Sequence, residues 1–165
     1  MDLGLSGRWA LVTGASEGIG TAIARGLAAE GVNLHLASRS ATKLEQTKGE
    51  ISSESDVEVT MHAVDLRNPR QVDQLAESCA GAEILINNAG ATPPGSLTAM
   101  NREFWRETWE LKPLAYIDLA RGLFQEMEDR YASGRPHLCD LREGGEGSSI
   151  GRSRWGVEAS TGRGM

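Results

Sequence analysis

The most constraining stretch of the sequence is Thr13-Gly14-Ala15-Ser16-Glu17-Gly18-Ile19-Gly20. It follows the apolar run Trp9-Ala10-Leu11-Val12 and leads into apolar residues at helical spacing, Ile19, Ile23 and Leu27. A buried-type strand, a glycine-rich turn and a helix N-terminus therefore stand in immediate succession. The first turn of a helix has unpaired N–H groups and carries the positive end of the dipole. Glycines there let a diphosphate approach the backbone without meeting a Cβ. In an isolated turn three glycines would be a weak sign; between a strand and an amphipathic helix they make a nucleotide site the leading reading.

The rest of the chain repeats the alternation. A strand is expected over 8–13 and a helix over 18–30, with Ile19, Ile23, Ala24, Leu27 and Ala28 on its inner face and Gly31 as a left-handed cap. A second strand follows over 32–37. Ser40 can cap a second helix that turns Leu44 and Ile51 inward. Residues 57–61 read as a third strand of period two. Asn68-Pro69 is a helix start, with Asn as cap and Pro at the first helical position, and Val72, Leu75 and Ala76 mark its inner face. Ile84-Leu85-Ile86 is a short, wholly apolar fourth strand. The pattern predicts an α/β fold, a Rossmann-like doubly wound parallel sheet with helices on both faces and right-handed crossovers. Ligands of such sheets lie beyond the carboxyl ends of the strands. Gly14 to Gly20, Ser38-Arg39, Asp65-Leu66 and Asn87-Asn88-Ala89-Gly90 all fall at those ends.

At this point a family resemblance can be stated. Thr13-Gly-x-x-x-Gly-x-Gly20 with Asn87-Asn-Ala-Gly90 resembles the short-chain dehydrogenase/reductase family, and Leu5-Ser6-Gly7 and Asp65-Leu66 strengthen the match over residues 3 to 130. The resemblance implies strand order 3-2-1-4 and a nicotinamide dinucleotide cofactor. It places Gly14, Ser16, Glu17, Gly18, Ile19 and Gly20 at the phosphates and ribose, Asp65 and Leu66 at the adenine, and Asn88, Ala89 and Gly90 at the nicotinamide-side ribose. Asn87 is implied to brace the sheet. An NAD site wants a carboxylate at the end of the second strand, whereas an NADP site wants a cation. Ser38-Arg39-Ser40 offers only Arg39, which can fork onto a 2′-phosphate or stand as a solvated loop arginine. The expectation is NADP(H) over NAD(H), with Glu17 as a counter-signal.

The family's reaction, hydride transfer between nicotinamide and a carbonyl or alcohol, uses a Tyr-x-x-x-Lys pair on one helix face. Tyr116 is followed four residues on by Ala120 and Tyr131 by Arg135, and no lysine occurs after Lys112. Glu110 stands where relatives have an asparagine, as a surface residue or a substitute relay acid. No catalytic residue is assigned, and the chain is expected to be inactive as it stands. Met100 to Arg130 reads as helix, with Leu111, Ala115, Leu119, Leu123 and Met127 on one stripe, a kink at Pro113, and Trp105 and Trp109 as core or interface aromatics. Residues 1–131 thus read as an incomplete Rossmann domain. Residues 132–165, rich in Gly, Ser and Arg, read as a disordered tail. Either a shifted reading frame or a natural truncation accounts for it. Arg135-Pro136-His137-Leu138-Cys139-Asp140 can be encoded so that a one-base shift reads Gly-Arg-Ile-Cys-Ala-Ile, like the strand the family would place next.

Net charge −6 and a pI near 5.1 give no support to a nucleic-acid or anionic-membrane partner. No stretch could span a bilayer, and Cys79 and Cys139 fit no disulfide or metal spacing, which suits a cytoplasmic protein. His35, His62 and His137 do not cluster in spacing, so no metal is expected. An unprotected fourth strand and bare apolar helix faces predict self-association. The rival functional readings are a working reductase with an unorthodox catalytic set and a nucleotide-binding or interaction module without chemistry.

Overall fold

The computed structural model describes residues 3–90 and 100–132. A four-stranded parallel sheet is built from β1 (Trp9–Thr13), β2 (Asn33–Ser38), β3 (Val59–Ala63) and β4 (Ile84–Ile86), in the order β3-β2-β1-β4. The crossover helices are α1 (Gly18–Ala29), α2 (Ala41–Glu54) and α3 (Pro69–Ser78). After residue 100 come α4 (Arg102–Trp109), a π-helical segment (Glu110–Leu114) and α5 (Ala115–Ala132). Of the tail expected over 132–165, Ala132 is the last residue of α5, and residues 133–165, with the reading-frame explanation, lie outside the described residues.

Alternation in the central strands divides the core in two. Ala10 and Val12 of β1 join Leu34 and Leu36 of β2 against Ala24, Ala28, Leu44 and Ile51 of α1 and α2. Leu11 faces the other way, into a cluster with Val72, Leu75, Leu119 and Leu123 of α3 and α5. Both faces of β1 are covered, so Ala10 through Thr13 are fully buried. Each fully buried leucine contributes about 1.5–3 kcal/mol over an exposed one. The expected caps are present. Ser40 accepts from the Lys43 N–H, Asn68 accepts from the Arg70 N–H ahead of α3, and Gly31 closes α1 at φ +77°.

Several expectations need correcting. Ile19 is 72% exposed, because the inner face of α1 is made by the small residues Gly20, Ala24 and Ala28. β3 starts two residues later than its alternation suggested: the Asn33 side chain accepts from the Glu58 N–H, and pairing with β2 begins at Leu34↔Val59. Trp105 and Trp109 are not core residues, being 38% and 58% exposed. The kink expected at Pro113 is a π-helical widening. Proline lacks an N–H and its ring would meet the carbonyl of residue 109, so the backbone takes an extra residue into the turn and the Ala115 N–H reaches Glu110 O. Beyond it, Ala115, Leu119 and Leu123 are buried and Leu111 and Met127 pack beside them, the stripe the spacing predicted.

Candidate functional site

Three strand ends are tied together at the carboxyl edge of the sheet, and Thr13 is the knot. Its hydroxyl donates to Ile86 O (3.2 Å) and accepts from the Asn88 and Ala89 N–H groups (3.0 and 3.1 Å). The Asn88 amide donates to Thr13 O and Gly14 O (3.1 and 3.2 Å), and the Gly14 N–H donates to Ala37 O on β2 (2.8 Å). Gly14 sits at φ +66°, and a Cβ there would lie 2.8 Å from the Ala89 backbone. A Cβ on Gly20 would run into the Gly14 carbonyl oxygen. Only glycine satisfies either position, and together they bring the first turn of α1 down onto the strand ends.

That first turn is open. Ser40, Asn68 and Asn101 each cap their helix with a side-chain oxygen, whereas Glu17, at the same position of α1, makes no such bond. The N–H groups of α1 therefore lack a side-chain acceptor at the place where an anion is most favoured. A cleft of about 460 Å³ lies beside it. Gly14, Ser16, Glu17 and Ile19 line one side and Ser38, Arg39, Ser40 and Lys43 the next. Val64, Leu66 and Leu111 supply apolar wall, and Asn88, Ala89 and Gly90 close the far end. The exposure of Ile19 is thus an exposure toward the cleft.

Gly18, Gly20 and Asp65 do not line this cleft. Gly20 is buried behind Gly14, and Gly18 sits at φ +61° where the turn enters α1. The Asp65 carboxylate pairs with Arg67 (2.6 Å), whose hydrogen bond holds its pKa below the usual carboxylate value. Glu17, the only carboxylate among the described residues of the lining, is bound by Lys43 at 2.5 Å, and that hydrogen bond lowers its pKa. Lys43 was not singled out by sequence reasoning. A signal did exist, since a lysine in the first turn of a helix sits at the wrong end of the dipole and calls for another role.

The bracing expected of Asn87 is divided. Asn88 locks the end of β1, while the Asn87 amide reaches across to Tyr116 O on α5 (3.4 Å). The Tyr116 hydroxyl donates back to Ala89 O (2.5 Å), and burial raises its pKa. The Lys112 side chain lies against Gly90, in the space a Cβ would need. Glu110 is half-buried at the start of the π-helical segment and does not line the cleft; its charge lies near Arg67. The contacts of Tyr116 and Lys112 left no trace in the spacing, because each reaches residues more than twenty positions away, at Ala89 and Gly90.

Comparison with known proteins agrees with this geometry. The family model described as short chain dehydrogenase matches residues 8–135. A very-long-chain 3-oxoacyl-CoA reductase of Yarrowia lipolytica is 38% identical over 106 residues, covering 55% of this chain and 27% of the relative. Among solved structures, L-sorbose reductase from Gluconobacter frateurii, complexed with NADPH and L-sorbose, is 40% identical with a TM-score of 0.75. That match covers 79% of this chain and 51% of that one. A metagenomic short-chain oxidoreductase in complex with NADP is 33% identical with a TM-score of 0.71, covering 81% and 61%. The chain spans between about a quarter and a half of the length of the curated relatives it matches, and 51% and 61% of the two solved chains. Among the described residues no helix is long and apolar enough to cross a membrane. With the sheet order, the glycine turn and the family match in agreement, this chain belongs to the short-chain dehydrogenase family.

Proposed function

We propose that this chain is the cofactor-binding portion of an NADP(H)-dependent oxidoreductase, and that it does not complete hydride transfer by itself. One observation carries the reading. The uncapped first turn of α1 opens onto a cleft whose β2 side holds Arg39 and Lys43 and whose one carboxylate among the described residues, Glu17, is already neutralised by Lys43. Gly14, Ser16, Glu17, Gly18, Ile19 and Gly20 would form the diphosphate cradle, Arg39 with Lys43 the 2′-phosphate contact, Asp65 and Leu66 the adenine border, and Asn88, Ala89 and Gly90 the nicotinamide-side border. Bound there, the nicotinamide supplies the hydride. The chain's own residues bind and orient it. Two solved relatives hold NADPH or NADP, which supports the choice of phosphate form.

Neither Tyr116 nor Tyr131 is followed by a lysine four residues on, so the proton donor that the family pairs with the hydride is missing from this sequence. A carbonyl or alcohol substrate is therefore proposed only for an active form. Titrating NADPH and NADH while following tryptophan fluorescence tests the site. NADPH should bind the more tightly; equal affinity refutes the phosphate assignment, and no binding of either refutes the site. NADPH consumption with a panel of ketones should stay at background. Self-association is proposed as well, from the exposed Trp109, Leu114, Ile117 and Phe124 and the half-buried β4 at the sheet edge. A monomer in sedimentation at all accessible concentrations would refute it. A buried free thiol at Cys79 and an acidic surface suit the reducing cytoplasm we propose as its location.

A further inference from the structure

Two of the histidines that sequence spacing kept apart meet in the fold. His35 on β2 and His62 on β3 point to the α3 side of the sheet, with His35 Nδ1 3.0 Å from His62 Nε2. Cys79, the residue that ends α3, is fully buried and places its Sγ 3.6 Å from the same His62 Nε2. All three potential ligand atoms lie within 4.8 Å of one another. Trp9 stacks on His35 with ring centroids 4.6 Å apart, which fixes the plane of that imidazole. None of the three lines the nucleotide cleft.

We propose that His35, His62 and Cys79 form a binding site for a borderline-soft divalent cation of the zinc class, with three protein ligands and a fourth position filled by water. Zinc bonds of about 2.0–2.1 Å to nitrogen and 2.3 Å to sulfur, at tetrahedral angles, put two nitrogens about 3.3 Å apart and a nitrogen and a sulfur about 3.6 Å apart. The two edges that meet at His62 already match to within tenths of an ångström, and the third, from His35 to Cys79, lies within 4.8 Å and closes toward about 3.6 Å when an ion binds. A purely hydrogen-bonded cluster serves these atoms less well. His62 Nε2 faces both His35 and Cys79, yet a ring nitrogen has one proton or one lone pair to give. A cation drawn between them, with a small inward shift of the His35 and Cys79 side chains, would satisfy all three at once.

Burial lowers the pKa of both imidazoles, that of His35 to about 4 with the neighbouring His62 adding to the fall, and raises that of the Cys79 thiol to about 12. On binding, Cys79 loses its proton to solvent and the metal neutralises the thiolate. Because the ligands come from β2, β3 and the end of α3, an ion here would pin that helix to the sheet.

The test uses the full chain, stripped with EDTA and titrated with cobalt(II) as a spectroscopic substitute for zinc. One cobalt per chain should give a thiolate-to-metal charge-transfer band, which zinc displaces. Cys79→Ser should abolish the band, and His62→Gln and His35→Gln should each weaken cobalt binding by about tenfold or more. Cys139→Ser should leave the band intact. A band that disappears with Cys139 instead, or no band at all, overturns the proposal. Should the buried variants fail to fold, the unsubstituted chain still decides: zinc must raise its melting temperature and EDTA must reverse the rise, and a metal-independent transition overturns the site.

Discussion

The N-termini of α1 and α3 follow strands of the same parallel sheet, and they end in opposite ways. At α3, Asn68 caps the helix, Pro69 occupies the position that needs no N–H, and the Asp65–Arg67 pair holds the approach. At α1 no side chain caps the turn; Gly14 and Gly20 press it against the strand ends and a cleft opens in front of it. A capped end is satisfied from within the chain and has nothing to offer a ligand. The open end of α1 keeps its donors, Arg39 stands beside the cleft, and the nearby Glu17 carboxylate is taken up by Lys43. One terminus serves stability and the other serves binding.

Substitutions that touch one terminus alone break or sharpen this contrast. Gly20→Val should have the largest effect, because the new Cβ meets a backbone oxygen that cannot move aside. A loss of about 3 kcal/mol in denaturant unfolding is expected, together with loss of NADPH binding. Arg39→Ala should weaken NADPH by about ten- to hundredfold, the worth of a charge-assisted hydrogen bond, while leaving NADH nearly unchanged in the same fluorescence titration. At the other terminus, Asn68→Ala should cost about 1 kcal/mol of stability and leave NADPH affinity alone. If it loosened NADPH as well, the separation between the two ends would fail.

The smallest effect concerns Asp65. Arg67 lowers its pKa in the folded chain, so the unfolded chain takes up the proton first as pH falls. The stabilisation is complete above the unfolded value of about 3.9 and disappears as pH drops through the lower folded value. The pair is partly exposed, at 39% for the Arg67 side chain and 32% for Asp65, so solvent screening limits it to less than about 1 kcal/mol. Asp65→Asn should flatten that part of the acid unfolding curve, and an unchanged curve would remove the pair from the account of the α3 end.

The sequence by itself determined the elements of this protein and their order. Hydrophobic period, the Ser40 and Asn68 caps, Gly31 and the turn from Gly14 to Gly20 are local signals, acting across a few residues of chain that stay together however the rest folds. Strand order 3-2-1-4 followed from the family resemblance those motifs carry, and the sheet has it. Tertiary structure alone decided which side chains meet. The Thr13 hydroxyl binds N–H groups some 75 residues away, Lys43 neutralises Glu17, Tyr116 holds Ala89, and His35, His62 and Cys79 converge. These meetings depend on strand register and on how α3 and α5 pack against the sheet. Each of those is set by packing over the whole core, which no window of sequence contains.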